Sequence, residues 1–269
     1  MVTLNTKRLN DRGVSESIGF MLIFTIVIAG IGLVTLYGYP LLLQQQVGAD
    51  EKIMEKNMIV LQNDIKSLAY KTVPFKETSL KIGGGSLTVY NSSYTPAPSN
   101  LTIYDQSGTY INSFTPGELR YESVSAQTDI SLQNGAVVMR PRIQPGSTML
   151  AEPRWFYDAN TNTMVINLIN ITSSSLMAKE GIGTVQMALG ETKYSYSSIP
   201  TGTPIKLDYT PDINGVQNYS VAWDNYFTQT LKMPSPVLSG ATRKYQLPTD
   251  TSRPATLVIK RYEVIIKNL

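Results

Sequence analysis

The hydrophobic pattern of this chain changes period twice. From Ile18 to Tyr39 there is no polar face at all: 22 residues carry no charge, and only Thr25, Thr35 and four glycines interrupt the aliphatic and aromatic side chains. As a helix this run spans about 33 Å, enough for a hydrocarbon core of roughly 30 Å. A helix packed on a globular core would keep one polar side. The run therefore reads as a transmembrane helix over residues 14–43, with Ile18, Phe20, Ile26, Gly30 and Leu36 in the membrane span.

Beyond the Gly38-Tyr39-Pro40 break, where proline should kink the helix, a helical period appears. Val47, Met54, Met58, Leu61, Ile65 and Leu68 fall seven, four, three, four and three residues apart, with Asp50, Lys52, Lys56, Asn63 and Lys66 between them. That spacing predicts an amphipathic helical stalk over 44–73, stopped at Val73-Pro74. Its apolar stripe has two readings: a seam between subunits, or a docking face on the chain's own β-rich part. A divided outcome is expected, with residues from Leu61 onward docked and those before Met58 free.

From residue 79 the period becomes two. Ser86–Tyr90, Leu101–Tyr104, Tyr110–Phe114, Leu119–Val124, Ile130–Leu132 and Ala136–Arg140 read as short strands between Gly- and Pro-rich turns. Asn134-Gly135 is the clearest hairpin signal. Trp155–Tyr157, Met164–Ile171, Gly183–Leu189, Lys193–Ser197 and Ile205–Tyr209 continue the series. Tyr219–Leu231 fits a short helix, and Ala255–Ile266 is the strongest strand. The predicted fold class is α+β: a long N-terminal helix and stalk, then a mostly antiparallel, β-sandwich-like domain over 79–269.

Charge gives an orientation. Lys7, Arg8 and Arg12 precede the span, opposed only by Asp11, whereas Asp50 and Glu51 follow it. The positive-inside rule then puts the first residues in the cytoplasm and the β-rich part outside. Arg12-Gly13-Val14-Ser15, a charged leader ending in glycine just before the apolar helix, resembles the processing site of archaeal type IV prepilins. The stretch DRGVSESIGF likewise resembles the start of a group of archaeal pilin-like surface proteins. The resemblance implies that a prepilin-type peptidase removes residues 1–13 between Gly13 and Val14, leaving the helix on the mature chain. It also implies partners in membrane lipid and in other pilin-like subunits. Glu16 departs from the bacterial pattern, being the third mature residue instead of the fifth. An acid near a helix N-terminus, favoured by the helix dipole, accounts for it more simply.

Composition narrows the chemistry. The chain has 23 Lys+Arg against 20 Asp+Glu, and without residues 1–13 the balance is 20 against 19, so no basic stripe offers itself to nucleic acid. Cys and His are both absent, which removes thiolate and imidazole catalysis and the common zinc sites. No G-x-S-x-G, S-x-x-K or G-K motif occurs, and neither enzyme activity nor a cofactor is expected. Asp158-Ala-Asn160-Thr-Asn162 has oxygen ligands at alternate positions, but it lacks the glycine and the final glutamate of a calcium loop, and reads as a hairpin. Trp155 and Trp223 sit in apolar clusters and read as core anchors instead of a sugar-stacking platform. Sequons at Asn91, Asn100, Asn170 and Asn218 all follow the span and are candidate N-glycosylation acceptors, at least three of them expected to be exposed. Together these features describe a pilin-like, membrane-anchored surface protein, a minor pilus or pseudopilus subunit. The alternatives are a membrane-tethered adhesin or envelope protein that never polymerises, and a surface hydrolase using carboxylates.

Overall fold

The computed structural model describes residues 11–71, 73–92, 99–106, 108–212 and 218–269. Residues 1–10, most of the expected leader and including Lys7 and Arg8, lie outside the described residues. The chain separates into two compact units, one ending at Ala49 and the other spanning Asp50–Leu269.

The first unit is helical. α1 runs Asp11–Leu33, three residues ahead of the expected start, so Gly13 and Val14 lie within helical backbone. A π-helical turn, Val34–Gly38, follows, and then α2 (Tyr39–Lys71), of which the residues up to Ala49 belong to this unit and those from Asp50 onward to the next. The expected break at Pro40 takes this form for a physical reason. Proline has no N–H to donate and its ring crowds the carbonyl four residues back. Widening the preceding turn relieves that conflict, and Tyr39 N–H instead reaches the carbonyl of Val34, five residues back.

The second unit is a mostly antiparallel β-rich domain. Its strands are β1 (Phe75–Tyr90), β2 (Asn100–Tyr104), β3 (Thr109–Phe114), β4 (Glu118–Ser123), β5 (Thr128–Gln133), β6 (Ala136–Pro141), β7 (Thr148–Ala151) and β8 (Phe156–Asp158). They continue as β9 (Thr163–Ser173), β10 (Met177–Ile199), β11 (Lys206–Thr210), β12 (Val237–Ser239), β13 (Thr242–Gln246) and β14 (Ala255–Asn268). A short helix, α3 (Ser220–Asn225), opens into a π turn at Tyr226–Thr230. One sheet has the order β7-β6-β5-β4-β1-β10-β14-β9-β8, and the other β12-β13-β11-β2-β3. β14 pairs with β9 in parallel; the other pairings described are antiparallel.

The large sheet buries both faces, and β14 shows how. Leu257 and Ile259 join a core with the small sheet and α3, whereas Tyr262, Val264 and Ile266 turn to the other face and pack with α2. This follows from the two-residue period of a strand. The domain is therefore layered as small sheet, large sheet and helix. The expected Asn134-Gly135 hairpin is present, with both residues at positive φ (46° and 73°) joining β5 to β6. The glycine run Gly83–Gly85, expected as a strand boundary, is a bulge inside β1 between Ile82 and Leu87. Gly84 has φ +66°, and a Cβ on Gly85 would lie 2.2 Å from the Glu122 carbonyl oxygen, so neither position accepts a side chain without strain.

Candidate functional site

Two features of the first seventy residues carry the functional argument: a helix with no polar face, and the apolar stripe beyond it. Along α1 the apolar side chains are exposed all round, Ile18 at 59%, Phe20 at 72%, Ile26 at 62% and Leu36, in the π turn, at 70%. A Cβ on Gly30 would meet nothing within 4 Å. The two threonine hydroxyls of the run from Ile18 to Tyr39 are satisfied within it, Thr25 Oγ1 donating to Met21 O at 2.7 Å and Thr35 Oγ1, in the π turn, to Ile31 O at 2.9 Å. Internal satisfaction is what a hydrocarbon environment demands of every polar group. Among the described residues one helix is long and apolar enough to cross a membrane, and its most apolar stretch is nowhere buried.

Of the two readings of the stripe, burial selects docking on the chain's own sheet over a subunit seam. Met54, Met58, Leu61, Ile65 and Leu68 are all fully buried, packed on Leu87, Val89, Leu119, Ile130 and Val185 of the large sheet. The expected division at Met58 is therefore wrong, because docking already begins at Met54; Val47 alone of the stripe lies in the first unit and is half-buried. The spacing is the same for either partner, and the inner sheet face supplies the one that wins. Each buried side chain contributes about 1.5–3 kcal/mol. Polar contacts set the register: Gln62 Nε2 donates to Gly135 O at 2.7 Å and Glu152 O at 2.9 Å, and Asn57 Nδ2 to Lys81 O at 3.2 Å. The opposite side of α2 remains open, with Ile53 and Val60 exposed.

On the sheet face turned away from α2, β4 and β5 carry a buried charged network. Glu118 is fully buried and accepts hydrogen bonds from Arg120 Nε, at 3.0 Å, and from the Ser131 hydroxyl. Arg120 also reaches Glu122 at 2.9 Å and lies 4.1 Å over the Tyr90 ring, while Arg142 Nε donates to Asp129 at 2.7 Å. The carboxylates there are held by arginines, an arrangement that supports structure.

The sequons do not stand out from the surface. Asn91, Asn100, Asn170 and Asn218 are all half-buried, not exposed as expected. Each does local structural work: Asn91 Nδ2 donates to Ser173 O, Asn100 Nδ2 to Ser113 Oγ, and Asn170 and Asn218 accept from the backbone N–H groups of Gly117 and Ser220. Trp155 and Trp223 are buried at 4% and 2% in an aromatic cluster with Tyr226 and Phe227. Asp158 takes hydrogen bonds from Thr161 Oγ1 and, next in effect, Asn160 N, which hold its carboxyl below the usual range. Asn162 spends its amide on the carbonyls of Asp250 and Pro254. That loop is a hairpin clamp. Among the described residues no group of three or more acidic side chains is placed to hold a metal ion.

Buried tyrosines give the domain a pH signature. Burial, then neighbouring Tyr194, pushes Tyr262 up to about 12, and burial is also the largest cause of the rise at Tyr70, Tyr226 and Tyr245. A tyrosine whose folded pKa exceeds its ordinary value near 10 contributes stability that is complete below pH 10. That contribution is lost as pH climbs through the folded value. The melting temperature of the full chain in detergent is expected to hold level from about pH 7 to 10 and to fall between about 10 and 12. A midpoint that stays level through that second window would contradict this.

No curated protein and no solved structure matches the chain. A family model does match, over residues 12–264, and its description is a family of unknown function, DUF7289. The match takes in the apolar helix, the docked stripe and nearly all of the β-rich domain, and the chain belongs to that family.

Proposed function

We propose that this is a pilin-like, single-pass membrane protein of an archaeal cell, whose α1 sits in the bilayer and whose β-rich domain is displayed outside. In this reading the first dozen residues are cytoplasmic, and a prepilin-type peptidase cuts between Gly13 and Val14. The observation that carries it is the helical run from Ile18 to Tyr39, apolar on every side with Thr25 and Thr35 bonded to its own carbonyls. The domain is a display scaffold and no catalytic role is proposed for it. Asn91, Asn100, Asn170 and Asn218 are its candidate glycan acceptors; an intact mass from the native host equal to the bare polypeptide would remove them.

Between tether and filament subunit, the burial of the stripe favours the tether. The face that would have joined neighbouring subunits is occupied by the chain's own sheet. A minor pilus or pseudopilus subunit is the second reading. It would have to assemble through α1 and the exposed Ile53–Val60 side of α2. Protease treatment of intact cells, followed by carbonate extraction of their membranes, tests the anchor. The expected result is a digested β-rich domain and an α1 fragment retained in the membrane. A protected domain, or full release by carbonate, would overturn the reading. Mass tagging of isolated surface filaments separates the two forms: the tether predicts filaments without this chain, and its presence along them establishes the subunit.

A further inference from the structure

An open groove of about 700 Å³ lies on the β-rich domain where β8, the segment after the π turn of α3 and the end of β13 meet. Three features of its lining point to a ligand. Phe156 is 46% exposed beside Pro234 and Pro248, giving flat apolar surfaces open to solvent. Lys232 is the one Lys, Arg, Asp or Glu among the described lining residues, is exposed, and makes no ion pair among the described residues. Its backbone is held at φ +57°, a conformation that lysine rarely adopts and that recurs at binding sites. Thr249, 7% exposed, lines the groove with a buried hydroxyl that has no hydrogen-bond partner among the described residues; buried hydroxyls are normally paired.

We propose that this groove binds a uronic-acid-bearing polysaccharide segment. Phe156 and the two prolines take the C–H faces of sugar rings, as aromatic and ring surfaces do. Lys232 pairs with a uronate carboxylate, and Gln246 and Thr249 take ring hydroxyls. With no carboxylate in its described walls and one unpaired cation, the groove is complementary to an acidic chain. A proline-rich peptide could also lie on Phe156, but it would leave Lys232 without a counter-charge, and the larger ring beside it is closed off. Here Trp155 is only 4% exposed and already stacked on Phe227. The inference holds whether the protein is a tether or a filament subunit.

Calorimetry on the full chain in detergent tests it, with an alginate-derived hexasaccharide as acidic probe, maltohexaose as neutral probe and a proline-rich decapeptide as third ligand. The expected result is binding of the hexasaccharide alone, weakened by added salt. Lys232→Gly, which suits the backbone conformation and removes the charge, should weaken binding about fivefold or more with the melting temperature unchanged or raised. Thr249→Val, which removes the unpaired hydroxyl at equal size, should weaken binding about threefold without lowering stability. No binding of the acidic hexasaccharide at millimolar concentration, equal binding of maltohexaose, capture of the peptide, or undiminished binding by Lys232→Gly would each overturn the proposal.

Discussion

Met58→Asp in the full chain, held in detergent, is expected to destabilise the β-rich domain by about 4 kcal/mol or more. Met58 has no exposed surface and lies among Leu61, Leu119 and other aliphatic side chains of the core shared by α2 and the large sheet. A carboxylate there finds no partner of opposite charge. The change combines loss of the methionine's packing with burial of an unpaired charge, the two largest mechanisms of mutational damage. Val60→Asp is the matched control. It lies two residues on, on the open side of the same helix at 47% exposure, and should alter stability by no more than about 0.5 kcal/mol. Thermal unfolding followed by circular dichroism reads both. If the two variants melt alike, α2 is not a docked part of the domain and the subunit seam returns.

The buried network supplies the second large effect. Glu118→Ala removes the fully buried carboxylate that Arg120 and Ser131 share. Arg120 keeps Glu122 at 2.9 Å, but its side chain is 5% exposed and loses its closest counter-charge. Removing one partner of a buried pair costs about 3–5 kcal/mol, whereas replacing both by apolar residues of similar volume is often close to neutral. The double variant Glu118→Leu, Arg120→Met should therefore be clearly more stable than Glu118→Ala, in a denaturant midpoint measured on the full chain. Equal midpoints would mean that the pair is not coupled and that the loss comes from side-chain volume.

Much of the architecture was legible, and the exceptions have identifiable causes. α1 announces itself because twenty-two residues without charge have few other destinations. The α2 stripe is equally plain, since burial on any flat partner imposes the same spacing. What the spacing lacks is the partner's identity: a neighbouring helix and the chain's own sheet select the same positions. The Asn134-Gly135 hairpin was readable because that turn needs two positive φ angles and these residues adopt them readily. β10 reads as two strands, Gly183–Leu189 and Lys193–Ser197, because its pairing with β14 shifts between Leu189 and Thr192 and the alternation slips there. The first half of β1 is hidden by the glycine bulge. β12 and β13 escape notice because Val237 and Leu238 are exposed and no alternation marks an inner face.

The sites divide in the same way. The proposed processing junction at Gly13-Val14 and the four sequons are local motifs, visible without a fold. Their surroundings are not local: the asparagines turn out to brace strand ends and the start of α3, so half-burial replaces the exposure expected of loops. The groove is invisible in sequence. Its lining comes from 155–157, 230–234 and 246–249, and no pattern in one segment anticipates the others. The charged network is likewise concealed, since Glu118, Arg120 and Glu122 look like the solvent side of a strand until the segment that carries Tyr219, far along the chain, comes to lie beside Glu118 and Arg120.

N-terminal sequencing of the protein extracted from the membranes of its native host tests the central claim most directly. A pilin-like anchor processed ahead of its helix begins at Val14 and remains in the membrane fraction, and replacing Gly13 with a bulky residue leaves the leader uncut. An intact Met1, or a mature chain beginning beyond Leu36 and released from the membrane, would contradict the account.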